Sequence, residues 1–244
     1  MLRRLRLFPL SLALGALGMF AISCGGSHAS MRFVHASPDA TVGNVDVAVD
    51  GKTVVTNLPF ASVSPGSGYL TITAGNRLIE VRTTGTSTDR VNAPNVSFSS
   101  HQQYTVFFTG LGPPTQTISL VTDDNSAPQT GNIKLRVFHA SPSAPPPSGP
   151  PPAHLDIYIV APGTDITNLS PTISALAYQQ ASSYQSVAPA SNEVIMTATG
   201  DPTKLRLIDQ TYNFTAGQIR TLVVLDQQNV PAMSPTPLVL ADLN

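Results

Sequence analysis

Two histidines lie in matching sequence runs, and histidine is the side chain best suited to acid–base chemistry near neutral pH. His35 and His139 each stand in an Arg-x-x-His-Ala-Ser-Pro run, called the HASP run below. The next strand-like segment after each run holds an aspartate, Asp46 or Asp156. If the two segments pair, each histidine could exchange a proton with its aspartate. The chemistry that such a pair would serve is hydrolysis.

A structural role for the same residues is the alternative interpretation, and we favour it. A hydrolytic His–Asp pair still needs a nucleophile or a metal. The hydroxyls next to the histidines belong to Ser37 and Ser141, which lie in predicted turns closed by Pro38 and Pro142. Serine hydroxyls in turns usually bond the backbone. Each histidine would then cap a strand end and hold the Ser-Pro turn, so we predict no catalytic residues.

The spacing of the remaining residues indicates no other reactive site. The five histidines show no short metal-ligand spacing, and Asp123-Asp124-Asn125 lacks the glycine-containing acidic loop of a calcium site. No glycine-rich phosphate loop or nucleophile elbow occurs. Tyr69 and Tyr184 occupy matching positions, which favours core packing over a sugar-stacking platform. We therefore predict neither a metal nor a cofactor.

The composition limits the partners that the chain can bind. Charged residues make up 11% of the 244 residues, and the formal net charge is −1. Without the three arginines near the N-terminus, the 13 basic residues fall to ten, against 14 acidic residues. This number is too small for a phosphate-binding footprint, so we expect no nucleic-acid partner. A hydrophobic share of 41% is sufficient for one or two packed domains.

The first 23 residues have the features of an export signal. Three arginines precede an apolar stretch from Leu7 to Ile22, and the small residue Ser23 follows. The only cysteine of the chain, Cys24, comes next, and Gly25-Gly26-Ser27 could form a flexible tether.

The segment from Ala21 to Gly25 resembles the lipobox of bacterial lipoproteins. In that family the cysteine thiol receives a diacylglycerol and the leader is removed just before the cysteine. The resemblance implies lipid attachment at Cys24, and hence an exported protein held at a membrane of the cell envelope. Gly25, where an aspartate would favour the inner membrane, implies the outer membrane in a host that has two.

An internal repeat divides the rest of the chain. The two HASP runs are 104 residues apart, and further matches continue towards the C-terminus. The offset between matched residues increases partly because residues 144–153 form an insertion with six prolines, which predicts an exposed loop. We predict a tether at 24–30, a first domain at 31–125, a linker at 126–132 and a second domain at 133–244.

Each predicted domain reads as a series of short β-strands. Segments rich in Val, Ile, Thr and aromatic residues alternate with Gly, Pro, Asn and Asp turns, with about seven strands in each domain. This spacing is typical of a two-sheet sandwich. The fold prediction is all-β: two tandem antiparallel β-sandwich domains, Ig-like or transthyretin-like, after an N-terminal signal peptide.

The repeated runs also carry a family resemblance. The HASP runs, the strand Val45-Asp46-Val47 with its counterpart Leu155–Tyr158, and Tyr104-Thr105-Val106-Phe107 resemble the DUF4397 family. The resemblance implies a β-sandwich in an exported protein, often in tandem, and no activity.

The predicted function is a non-catalytic binding, spacer or scaffold module of the cell envelope, anchored through the lipid on Cys24. Its ligand would be a protein or a polysaccharide. The alternative is an exported hydrolase that uses His35 with Asp46, or His139 with Asp156.

Overall fold

The computed structural model describes residues 27–228 and 236–242. Within these ranges the chain forms seventeen β-strands and no helix, which confirms the predicted all-β fold. The predicted leader, residues 1–23, and the predicted lipid-attachment residue, Cys24, lie outside the described residues.

The strands fall into two halves of the chain. Those of the first half are β1 (His28–His35), β2 (Val45–Val49), β3 (Lys52–Leu58), β4 (Ser62–Ser64), β5 (Leu70–Thr73), β6 (Gly75–Thr83), β7 (Asp89–Phe98), β8 (Gln103–Thr109) and β9 (Thr117–Asp123). Those of the second half are β10 (Ile133–His139), β11 (Leu155–Val160), β12 (Ile173–Leu176), β13 (Gln185–Val187), β14 (Ser191–Ala198), β15 (Arg206–Asn213), β16 (Ile219–Leu225) and β17 (Thr236–Ala241).

Each half folds its strands into two sheets with matching strand orders. The inner sheets have the orders β4-β1-β8-β9, with β5 also on β1, and β13-β10-β16-β17. The outer sheets have the orders β3-β2-β6-β7 and β12-β11-β14-β15. Most pairs are antiparallel, as predicted, but β1 pairs with β8 and β10 pairs with β16 in parallel. Each parallel pair places the first strand of a half beside a strand from near the end of that half. A hairpin cannot make such a pair, because it connects antiparallel strands.

The inner sheets are buried on both faces because successive side chains of a strand point to opposite sides. In β1, Phe33 faces the core of its own sandwich, and Val34 faces the other half. In β8, Val106 faces the core of its own sandwich, and Phe107 faces the other half. The four sheets therefore stack as two sandwiches with a third apolar layer between them.

The apolar layer between the inner sheets is centred on two phenylalanines. The rings of Phe107 and Phe138 are stacked, with centroids 3.7 Å apart and an interplanar angle of 7°. Val34, Val223 and Leu225 pack in the same cluster and are fully buried or nearly so. The two sandwiches are thus joined by a packed interface as well as by the chain between them.

Two loop regions differ in detail from what the sequence predicted. β1 already begins at His28, within the predicted tether, because Ala29 faces the core and His28–Met31 pair with β5. In the proline-rich loop, residues 147–151 are exposed, whereas Ala144 and Ala153 are buried. The N–H of Ala153 donates to the carbonyl oxygen of Ala144 at 2.8 Å, which closes the base of this loop.

Gly110 makes a close turn after β8 that a side chain would obstruct. Its φ is +106°, and a Cβ placed there would lie 2.3 Å from the carbonyl oxygen of Thr115. We expect Gly110→Ala to lower the free energy of unfolding by about 1–3 kcal/mol. Gly66→Ala is the matched control, because a Cβ there meets no atom within 4 Å. Equal urea midpoints for the two variants would contradict this account of the turn.

Candidate functional site

Both HASP histidines are fully buried at the end of the first strand of their half. Nε2 of His35 lies 3.0 Å from the carbonyl oxygen of Gly43. Nε2 of His139 lies 2.9 Å from the carbonyl oxygen of Ala153, and its Nδ1 accepts a hydrogen bond from the N–H of Ser141 at 3.3 Å. Because a carbonyl oxygen only accepts, each Nε2 carries a hydrogen and donates a hydrogen bond to the loop that follows the HASP run.

Aromatic rings enclose both imidazoles. Phe60 meets the ring of His35 edge-on at 5.9 Å, and Tyr178 meets that of His139 in the same way at 5.7 Å. Burial lowers the pKa of the His139 imidazole to about 4 and also lowers the pKa of His35. Both rings are therefore held in the neutral form at physiological pH.

The aspartates proposed as partners of the histidines bond elsewhere. Asp46 accepts from the N–H of Asn57 at 2.7 Å and from the hydroxyl of Thr84 at 2.8 Å. Asp156 accepts from the N–H of Ala175 at 2.8 Å and from the hydroxyl of Thr199 at 2.9 Å. The strand pairing on which a His–Asp dyad depended is wrong, because β1 and β2, like β10 and β11, lie in different sheets. Each aspartate instead joins the edge strand of an outer sheet, β3 or β12, to the turn that follows a neighbouring strand.

The serines of the HASP runs also serve the local structure. The hydroxyl of Ser37 donates to the carbonyl oxygen of Gly110 at 2.6 Å. In the second half, the hydroxyls of Ser141 and Ser143 both donate to the buried carboxylate of Asp226. Pro38 is buried and Pro142 is half-buried. None of these serine hydroxyls bonds a histidine ring, so the HASP corners do not form a Ser–His–Asp relay.

A cluster that the sequence reasoning missed lies between the inner sheets, and we call it the junction cluster: Arg32, Arg136, Asp123 and Asp242. Arg32 donates through Nε to the hydroxyl of Thr105 at 2.8 Å and through Nη1 to the carbonyl oxygen of Ala241 at 2.8 Å. Its Nη2 lies 2.5 Å from Asp242 of the other half and 3.6 Å from Asp123 of its own half. All four charged side chains are at most 2% exposed.

Arg136 repeats this arrangement in the opposite direction. It donates through Nε to the hydroxyl of Thr221 at 2.9 Å and through Nη1 to the carbonyl oxygen of Thr122 at 2.9 Å. Its Nη2 forms the ion pair with Asp123 of the first half. Each half therefore supplies an arginine to the other half and receives one from it.

Two tyrosines complete the junction cluster. The hydroxyl of Tyr69 donates to Asp123, and that of Tyr184 donates to Asp242, both at 2.7 Å. Their rings stack over Arg32 and Arg136, at 5.3 and 4.7 Å from ring centroid to guanidinium carbon. Burial raises the pKa of both tyrosine hydroxyls. Both rings pack within the junction cluster, so they do not form an exposed platform on which a sugar could stack.

The signals that could have revealed the junction cluster are present in the sequence. An arginine opens both HASP runs, and an acidic residue lies at the end of the last strand of the first half and directly after that of the second. Four charged residues at matching positions, in a chain with few charges, indicate a shared structural role. The spacing could not show that the partners belong to opposite halves.

The surface beside the junction holds a shallow groove of about 380 Å³. It is lined by the exposed edge of β9 from Ser119 to Thr122 and by Gln179, Gln180 and Ala181 of the second half. None of these residues is charged or aromatic. Among residues 27–228 and 236–242, no three histidine or acidic side chains are placed to share a metal ion.

The family comparison bears on the first half most directly. Residues 29–146 match the family model described as "Domain of unknown function (DUF4397)". The matched region starts in β1 and ends in the proline-rich loop, so it includes both HASP runs and both arginines of the junction cluster. A comparison with curated proteins found no match. The family description assigns no activity to the matched residues.

One solved structure that resembles the chain is CBMbc, of family CBM26, from Eubacterium rectale Amy13K, determined in complex with maltoheptaose. The sequence identity is 9%, and the alignment covers 89% of this chain and 98% of that chain. The TM-score is 0.27, a value at which the likeness supports no argument about the ligand of this chain. In the described part of the chain, no helix has the length and apolar character needed to span a bilayer.

The junction cluster leads to a prediction about stability. We expect Arg32→Met to lower the free energy of unfolding by about 3–5 kcal/mol, because Asp242 is left buried without its cation. The double variant Arg32→Met/Asp242→Leu should lose less than the single one, because no unpaired charge remains. Arg77→Met, which breaks the exposed ion pair with Asp50, is the control and should have a much smaller effect. Urea denaturation measures all three, and a double variant that loses as much stability as Arg32→Met, or more, would contradict the coupling.

The buried histidines lead to a prediction about pH. His139 is neutral in the folded state down to pH about 4, whereas in the unfolded chain it gains a proton near pH 6.5. The neutral imidazole therefore contributes fully to the free energy of unfolding above pH 6.5. As the pH falls towards 4, this contribution is lost, and the free energy of unfolding decreases by on the order of 3 kcal/mol.

Replacement of His139 by glutamine, which stays neutral, should flatten this loss. Urea unfolding of both proteins at several pH values between 4 and 7.5 measures the difference. Parallel pH profiles for the wild type and His139→Gln would contradict a neutral buried imidazole.

Proposed function

We propose that this chain is a non-catalytic, lipid-anchored module of a cell envelope, in which two tandem copies of one sandwich domain act as a single rigid unit. The observation that carries the proposal is the burial of both HASP histidines, which donate to backbone carbonyls and approach neither proposed aspartate. A hydrolase that uses His35 with Asp46, or His139 with Asp156, would need an exposed and mobile imidazole next to its partner.

The proposal of tandem copies is supported by repeated details of the two halves. The inner sheets have the same strand order, and each places a parallel strand pair at its centre. Ala61 and Gln179 both adopt a left-handed conformation, with φ of 54° and 63°, just after the aromatic residue that meets the histidine. Their N–H groups donate to the carbonyl oxygens of His35 and His139 at 2.9 and 2.7 Å.

The proposal of a rigid unit is supported by the junction cluster and the apolar layer around it. Two crossing ion pairs and the stacked rings of Phe107 and Phe138 restrain both the distance and the rotation of the halves. This restraint would help a spacer or a binding module, because the surfaces of the two halves keep a fixed relative position and less entropy is lost on binding. The uncharged groove beside β9 would suit a neutral segment of a protein or a polysaccharide.

The proposal of an envelope address is supported by the sequence around Cys24. An arginine-led apolar leader ends at this single cysteine, and the low charge of the chain leaves few groups to hold it at a membrane electrostatically. A lipid on Cys24 would supply the membrane attachment, at the outer membrane in a host with two membranes.

The experiment is expression of the full chain in a bacterium that processes lipoproteins, followed by detergent phase separation. We expect the wild type in the detergent phase, with a mass that includes a diacylglycerol group. Cys24→Ser should lack the added diacylglycerol mass, because it has lost the acceptor thiol while keeping both sandwiches. The control is an unchanged melting temperature of Cys24→Ser. An unacylated wild-type chain free in the aqueous phase would overturn the proposed anchor.

A further inference from the structure

The strand β15 forms an open edge of the outer sheet in the second half. It pairs with β14 and with no other described strand, and five of its eight residues are exposed. From Ile208 to Asn213 its register with β14 is regular, so one row of backbone N–H and C=O groups faces outwards. An edge of this kind is a template for a further strand.

The backbone of the corresponding edge in the first half blocks a further strand, whereas the backbone of β15 does not. β7 contains Pro94, which has no N–H to donate, and Asn95, whose φ of 61° breaks the extended backbone. β15 has no proline, glycine or lysine and no residue with positive φ. Leu205, just before β15, is 64% exposed, more than any other large apolar side chain of the described residues.

The side chains of β15 complement a second copy of the same strand. An antiparallel pair keeps side chains on matching faces only if its two-fold axis passes through a residue. With the axis at Gln210, Ile208 of each copy lies opposite Tyr212 of the other. Asp209 then lies opposite Thr211, so no charges of equal sign meet.

The neighbouring registers fit less well. With the axis at Asp209, the two carboxylates of that residue would lie directly opposite each other, which is unfavourable. With the axis at Thr211, Ile208 would lie opposite Phe214, which lies beyond the end of β15. The Gln210 register thus avoids the repulsion between the two Asp209 carboxylates and keeps the pairs from Ile208 to Tyr212 within the strand.

We infer that β15 is a homodimer interface, at which a second copy of this chain adds its own β15 antiparallel with Gln210 on the two-fold axis. The two four-stranded outer sheets would then form one continuous sheet across the dimer. An interface built mainly on one strand from each copy is smaller than the roughly 1,200 Å² of stable complexes, so we expect a weak, concentration-dependent dimer. This inference does not depend on the proposed function.

The experiment is a charge exchange at the proposed axis, in the Cys24→Ser chain, which has no thiol to accept a lipid. Gln210→Glu and Gln210→Lys each bring two equal charges together at the axis, and we expect each to weaken dimerisation at least tenfold in analytical ultracentrifugation. An equimolar mixture of the two variants should restore the dimer, because Glu then faces Lys. Gln210 is exposed and pairs with Val194 of β14, so the monomer should keep its melting temperature.

Gln102→Glu and Gln102→Lys are the matched controls, because Gln102 is exposed in a turn of the first half. They carry the same changes in net charge and should dimerise like the parent chain. A parent chain that stays monomeric as its concentration increases would overturn the inference. So would a dimer that neither charge at residue 210 weakens, or two weakened variants whose mixture does not recover.

Discussion

The exchange of arginines between the two halves is the constraint on which the rest of the architecture depends. A charge at the centre of a protein is tolerated only when a partner and further hydrogen bonds replace its water. Arg32 and Arg136 find their shortest carboxylate contacts across the junction, at Asp242 and Asp123. Each inner sheet is therefore complete only when the other inner sheet lies against it, and the two sandwiches act as one unit.

The HASP corners support this unit from inside each half. A neutral imidazole joins the end of the first strand to the loop that leads to the outer sheet, so the two sheets of each sandwich are held at one end. The corners are not identical: Ser37 bonds the backbone of Gly110, whereas Ser141 bonds the carboxylate of Asp226. The proline-rich insertion lies next to the second corner, where the carbonyl oxygen of Ala153 accepts a hydrogen bond from Nε2 of His139.

A ligand surface has to be sought on the outside of the molecule, because the buried histidines and the charged side chains of the junction cluster already have partners inside it. The groove beside β9 and the open edge of β15 lie on different sheets, so a ligand and a second copy could bind at the same time. The uncharged groove and a low overall charge favour contacts through hydrogen bonds and backbone pairing. Such contacts are specific in shape and depend little on salt.

The sequence by itself determined the all-β class, because short segments rich in branched residues alternate with turn residues and no long helical period occurs. It also indicated which residues repeat, including His35 and His139. It did not reveal β7, whose polar residues and Pro94 weaken the strand pattern, nor the parallel pairing of β1 with β8.

Only the tertiary structure decided what the repeated residues do. His35 and Asp46 are close in sequence, but their strands enter different sheets, so the dyad that the spacing suggested does not form. Arg32 and Asp242 are 210 residues apart, and they meet because two sheets stack face to face. Local patterns set which face of a strand is buried, whereas the partner of a buried charge depends on how the layers pack, and no single segment carries that information.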